Sequence, residues 1–310
     1  VPIHDFHTYH GLENLKQIVS KEDPAMSEEL MKALFPLRNK KIGETLQKII
    51  RRFTRSAEYR TPMEWFTPHK FETFMEFFGR RITRKKAKEI ESKAQDFSMT
   101  MPAECNVEAV GDFMDTSPIL RLKKPTGDVV KDLEAAGITS VSDMEFISLK
   151  LLKCYYHRVH VPVDGTLHKI TFVGKEEPLF GDNSLWIVEF DSTNGRVYLL
   201  VVGELSIQDF AFRVKEGDKV KKFDELGNFN WGSQVVVIYE KDAFYGDILI
   251  EEKETYFVGD GVFQANQIIT PTEFGDLPDT SYTRGGTQMP RGGVIYGSDI
   301  TGSPIGASTF

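Results

Sequence analysis

Three runs between residues 185 and 240, Trp186–Phe190, Arg196–Val202 and Val235–Tyr239, are short and rich in β-branched and aromatic side chains. Runs of that length and composition suit β-strands better than helices. Asn194-Gly195 separates the first two, and Asn-Gly between strand-like runs is a strong hairpin signal, because both residues tolerate positive φ. Asp164-Gly165 and Glu216-Gly217-Asp218 punctuate the same stretch as turns. An antiparallel, β-rich domain is therefore expected over residues 96–270. Helices are expected within it at Gly127–Ala136 and near Met144–Lys153.

Residues 1–95 carry a different pattern. Ile42, Leu46, Ile49, Ile50 and Phe53 form one apolar stripe at helical period, and Lys41, Lys48, Arg51, Arg52 and Arg55 cover much of the remainder. Such a helix either docks on a protein core or lies on an anionic bilayer. A second helix is expected through Lys70–Phe78, with Phe71, Phe74, Phe77 and Phe78 in the core. Residues 271–310 are rich in Gly, Ser, Thr and Pro, which predicts an extended or disordered tail. The expected fold class is α+β: an N-terminal helical region (1–95) packed on a β-rich, sandwich-like domain (96–270), then a flexible C-terminal tail (271–310).

The net charge of the 310-residue chain is −8, unevenly spread. From Arg38 to Lys93 there are 16 Lys/Arg against 7 Asp/Glu. A basic segment in an acidic chain suits an anionic contact: lipid headgroups, nucleic acid or the chain's own acidic part. Nucleic acid fits worst, since the segment lacks an interleaved aromatic stacking surface and a recognised motif and the chain is acidic overall, so no nucleic-acid partner is expected. No uninterrupted apolar run of about 18 residues occurs, so no transmembrane helix is expected. Val1–His10 lacks a basic stretch followed by an apolar one, so no signal peptide is expected. The two cysteines, Cys105 and Cys154, make neither a disulfide framework nor a four-ligand zinc site. A reducing compartment follows, with a cytoplasmic or peripheral-membrane location.

Three segments could carry chemistry. His4, His7 and His10 open the chain, but residues six apart do not share a helix face and no acid or thiol cluster completes a metal set; no metal is expected. Tyr156-His157-Arg158-Val159-His160 brings two imidazoles close in sequence. A histidine pair is equipped for proton transfer near neutral pH, and it equally suits a core filler. Trp231-Gly232-Ser233-Gln234 precedes a strand, where Gly commonly makes a tight turn. Phosphate-cradling loops, Gly-x-Ser-x-Gly, His-Glu-x-x-His and Cys-x-x-Cys are absent from the sequence. Lys215–Gly227 is similar to the turn-rich hairpin of lipoyl-like and biotinyl-like folds, without their modifiable lysine.

Four segments in order resemble those of the phosphatidylserine decarboxylases and their soluble amino-acid-decarboxylating relatives. Phe71–Arg84 resembles the Phe-Phe-x-Arg segment, with Gly79-Arg80 in its place. Met101–Val107 sits where the family has Pro-Ala/Val-Asp-Gly. Tyr156–Gly165 is similar to Tyr-His-Arg-x-His-x-Pro-x-x-Gly, and Asp224–Gln234 to the Gly-Ser cleavage region. Glu104 stands for the family's Asp, Cys105 for the following Gly, and Gln234 for a small hydroxyl residue.

The resemblance implies a self-processing carboxy-lyase. Ser233 would attack the Gly232 carbonyl, and the ester would eliminate to dehydroalanine and hydrolyse, leaving a pyruvoyl cofactor made from Ser233. His160 would be the base for that hydroxyl, with Glu104 as the orienting acid. His157 would serve decarboxylation, in which a Schiff base with the substrate amine accepts electrons as CO₂ leaves. Arg158 could instead hold a carboxylate or phosphate. The substrate implied is phosphatidylserine; a soluble aromatic amino acid is the enzymatic alternative, and a cleavage-dead binding or scaffold protein is the other. The two fragments would stay associated, an anionic membrane surface could be met through residues 38–93, and a homodimer is compatible with all of this.

Overall fold

The computed structural model describes residues 3–20, 28–55, 59, 61–68, 70–113, 133–134, 137–138, 141–173, 185–203, 210–230 and 234–265. Residues 1–266 group as one compact unit. The tail expected at 271–310 and most of the helix expected at Gly127–Ala136 lie outside the described residues.

Five helices are described: α1 Ile3–Ser20, α2 Glu28–Leu34, α3 Gly43–Arg55, α4 Phe74–Phe78 and α5 Arg84–Ala94. The strands are β1 Phe66–Thr67, β2 Arg81–Ile82, β3 Phe97–Thr100, β4 Cys105–Asp112, β5 Met144–Lys150, β6 Arg158–His160, β7 Gly165–Val173 and β8 Leu185–Ser192. They continue with β9 Gly195–Val202, β10 Phe210–Phe212, β11 Lys219–Val220, β12 Glu225–Phe229, β13 Gln234–Glu240, β14 Thr255–Tyr256 and β15 Gly261–Gln264. Eight strands form one antiparallel sheet in the order β11-β7-β8-β9-β13-β5-β4-β14, and a three-stranded sheet has the order β10-β12-β6. The architecture is α+β.

The central strands of the large sheet are buried on both faces. In β13, Val235, Val237 and Tyr239 join the main core while Val236 and Ile238 join a second cluster with Phe146, Leu185 and Leu200. Alternation of side chains along a strand divides them this way. The same main core takes in Leu15, Leu34, Leu46 and Ile49 from the helices and Val159, Leu226 and Phe229 from the small sheet. Helical region and sheets thus share one apolar interior.

The stripe on α3 is buried throughout, from Ile42 to Phe53. The helix is docked on the core, and its apolar face is closed to a bilayer. His4, His7 and His10 fall within α1. No helix among the described residues is long and apolar enough to cross a membrane.

Three expectations are corrected. Met144–Lys153 is a strand over its first seven residues, not a helix, because β5 pairs with both β4 and β13. A run apolar on both faces gives no periodicity to separate helix from strand. The helix expected over Lys70–Phe78 shrinks to α4, because Thr73 caps it. The β8–β9 hairpin lies where expected, yet its two-residue loop is Thr193-Asn194, and Gly195 (φ +133°) opens the return strand. A β-carbon there would press on the Glu240 carboxylate.

Candidate active site

The site begins with the start signal of α4. The Thr73 hydroxyl accepts the Glu76 N–H at 3.2 Å, and the Glu76 carboxylate accepts the Thr73 N–H, a reciprocal cap. Gly79 ends the helix, and the chain turns so that the Phe78 ring stacks on His157 with centroids 3.7 Å apart. Arg80 then points into the core, 1% exposed. It donates to the Phe77 carbonyl at 3.0 Å and the Cys154 carbonyl at 2.8 Å, between the rings of Phe66 and Phe77.

Arg158 clasps the same turn from β6. Its Nε donates to the Arg80 carbonyl at 3.1 Å, Nη2 to the Gly79 carbonyl at 2.7 Å, and Nη1 to the Glu225 carboxylate. A planar fork with three fixed directions suits this task. With each of its three nitrogens bonded to the protein, Arg158 holds the Gly79–Arg80 turn in place.

Both imidazoles have a defined tautomer. His157 Nδ1 lies 2.8 Å from the Tyr155 carbonyl, and His160 Nδ1 lies 2.6 Å from the Phe223 carbonyl. A carbonyl only accepts, so the proton is on Nδ1 in each ring and the lone pair is on Nε2. His160 Nε2 accepts from the Tyr156 hydroxyl at 2.9 Å. His157 Nε2 is buried without a partner among the described residues. Burial lowers the His160 pKa to about 4 and holds His157 well below its ordinary value. Both rings are therefore neutral at neutral pH, with Nε2 as the basic atom.

Glu104 sits beside them but not on them. One oxygen accepts the Tyr156 N–H at 2.7 Å and lies 4.0 Å from Arg80 Nη2; the other accepts the Thr61 hydroxyl. Burial raises its pKa against the opposing pull of Arg80, Thr61 and Tyr156. The direct Glu104–His160 contact expected of an orienting acid is not among these bonds. Its link to His160 runs through Tyr156, which sequence reasoning quoted within a motif but gave no role. Cys105 is buried, and burial pushes its thiol pKa well up, so it offers no thiolate.

Gly232 and Ser233 lie outside the described residues, but both flanks are described. On one side β12 pairs with β6, and the Phe229 N–H donates to the His157 carbonyl at 3.1 Å. On the other, Gln234 opens β13 and its side-chain amide donates to Ser148 Oγ at 3.2 Å. The segment with the predicted cleavage point thus leaves the small sheet at His157 and enters the large one at Gln234.

A profile of the phosphatidylserine decarboxylase family matches residues 74–264. Relatives include phosphatidylserine decarboxylase proenzyme 2 of Oryza sativa subsp. japonica, 30% identical over 62% of this chain and 32% of that protein. The phosphatidylserine decarboxylase proenzyme of Vibrio parahaemolyticus is 28% identical over 72% of this chain and 90% of its own length. That of Anoxybacillus flavithermus is 29% identical over 57% of this chain and 69% of its own. The chain thus spans about a third of the rice protein and most of the Vibrio one. With a profile match over more than half its length, running from α4 through both histidines to β15, the chain belongs to the phosphatidylserine decarboxylase family, a family of carboxy-lyases.

Proposed function

We propose that the chain is made as a proenzyme, cuts itself between Gly232 and Ser233, and then decarboxylates phosphatidylserine, the substrate named for its relatives. The observation that carries this reading is His157 Nε2, a buried lone pair fixed in direction by the Nδ1–H bond to Tyr155. Leaving a buried polar atom unpartnered costs free energy and calls for an explanation, and for a basic imidazole nitrogen a reacting group supplies one. It belongs to the residue whose carbonyl holds the strand leading to Ser233.

In cleavage, Ser233 Oγ adds to the Gly232 carbonyl as its proton passes to His160 Nε2, either in place of the Tyr156 hydroxyl or through it. The Gly232–Ser233 C–N bond then breaks with that proton going to the Ser233 nitrogen, the ester eliminates to free the Gly232 carboxylate, and hydrolysis of the dehydroalanine releases ammonia. Glu104 supports the base at one remove, by fixing Tyr156. A pyruvoyl group derived from Ser233 would supply an electron sink for loss of CO₂. His157 Nε2 then holds and delivers the proton that replaces CO₂ on the substrate carbon. The stacked Phe78 ring keeps water from that imidazole. The basic side chains of α3 and α5 leave any contact with anionic lipid to charge alone, since the apolar stripe is buried.

The Glu104 geometry favours one second reading, an uncut family member used for binding. The intact mass under denaturing conditions, beside Ser233→Ala, separates them. Two fragments parting at Gly232, with Ser233→Ala whole, support the proenzyme; one full-length mass in both rejects it. CO₂ release from phosphatidylserine vesicles against free aromatic amino acids then fixes the substrate.

A further inference from the structure

Phe223 has φ +73°, a left-handed conformation that a bulky side chain rarely adopts. It is the third residue of a turn closed by the Asp224 N–H on the Lys221 carbonyl at 3.0 Å. Glycine or asparagine is the residue expected at a positive-φ turn position. Strain of this kind persists only where the surroundings enforce it, and here they do. Phe223 N–H donates to the Val161 carbonyl at 2.9 Å, and Val161 N–H to the Asp224 carbonyl at 2.8 Å. The Asp224 carboxylate accepts the Lys221 N–H at 2.8 Å. Asp164 accepts the Lys222 N–H at 2.8 Å and pairs with the Lys222 ammonium.

The strained residue meets His160 twice. Its carbonyl accepts from Nδ1 at 2.6 Å, and its ring lies over the imidazole, centroids 4.5 Å apart and planes within 19°. The carbonyl sets the tautomer and the ring sets the plane. Tautomer and orientation are set by the carboxylate in a hydroxyl–imidazole–acid triad, which also stabilises the imidazolium; here Phe223 sets both, and Glu104 is bonded elsewhere. We propose that Phe223 is the positioning residue for His160, held in its left-handed turn by Asp164 and Lys222. This rests on the role of His160 given above. It explains why a turn that glycine would make more easily carries an aromatic side chain.

The test follows cleavage by intact mass against time and pH for the full chain, Phe223→Gly, Phe223→Leu and Asp164→Asn. Phe223→Gly relieves the backbone but empties a buried site, so its melting temperature should fall, and at a temperature where it stays folded cleavage should slow at least tenfold. Water then reaches His160, and the midpoint of the cleavage pH profile moves up; Arg158, Glu225 and Asp224, the charged groups around the ring, are unchanged. Phe223→Leu keeps apolar bulk without a flat face and should also be slow. Asp164→Asn should fall between Phe223→Gly and the parent. Parent-like rates and midpoints in both Phe223 variants would overturn the proposal while leaving self-cleavage standing. If the parent chain never cuts, the proenzyme reading fails, and the ¹⁵N spectrum of His160 in Ser233→Ala still decides. A sharp Nδ1–H signal that broadens on Phe223→Gly, as the imidazole loses the ring that fixes its plane, supports the clamp; an equally sharp signal refutes it.

Discussion

Replacing Arg80 by methionine exposes what the buried pair with Glu104 contributes. The two charged groups are 0% and 1% exposed at their side chains and 4.0 Å apart, so solvent screens them little. Methionine fills similar volume between Phe66 and Phe77 but leaves the Glu104 charge without its cation. Breaking a buried pair from one side costs about 3–5 kcal/mol. Glu104 has a pKa already raised by burial, so the folded chain binds a proton there that the unfolded chain releases. Stability from this group therefore falls as pH rises through that interval, and loss of Arg80 extends the interval upward. The Arg80→Met penalty should be larger at pH 8 than at pH 5. Adding Glu104→Gln, which keeps an acceptor for the Tyr156 N–H, should recover roughly 2 kcal/mol or more, because the lone charge is gone. Urea unfolding in a Ser233→Ala background keeps one intact chain for all four members of the cycle. A penalty below about 1 kcal/mol, or no recovery in the double variant, would refute the pairing argument.

His157→Gln should leave the cut at Gly232 intact while CO₂ release falls by roughly 10²-fold or more, read by intact mass and product assay on one sample; loss of both together contradicts the division of labour between the histidines. The folded-state pKa of His160, about 4, lies below the ordinary 6.5, so the unfolded chain takes up the proton first and stability falls as pH drops from about 6.5 towards 4. That difference corresponds to about 3 kcal/mol; His160→Gln should flatten this part of the pH–stability curve, and an unchanged slope would count against a buried neutral imidazole.

The sequence shows most where periodicity and chain geometry agree. The stripe of α3 and the strands β8, β9 and β13 are legible because their side chains alternate or recur toward an interior. β5 is not, since Phe146 and Ile147 bury on opposite faces and only its neighbours β4 and β13 make it a strand. At the site, His157, His160 and Glu104 are legible as residue types in a spaced pattern. Their partners are not: the Phe223 carbonyl on His160 and the Thr61 hydroxyl on Glu104 come from segments far away in the chain, and the Tyr156 hydroxyl, four residues from His160, meets it only in the fold. Phe223 leaves no trace in residue type, because its strained turn is imposed from outside by Val161 and Asp164.

Beyond residue 233 the described strands are β13, β14 and β15, and none of them pairs with another. β13 lies between β5 and β9, β14 pairs with β4, and β15 with β3. A piece cut free at Ser233 would have no sheet of its own; it would be a thread laced through its partner at three places. Native, two such pieces would hold together by whole ladders without a covalent link. Once unfolded, they would have to find each other again. Refolding would change from a first-order to a second-order reaction, slowing on dilution, so that a cut chain would be long-lived while folded and hard to restore once unfolded.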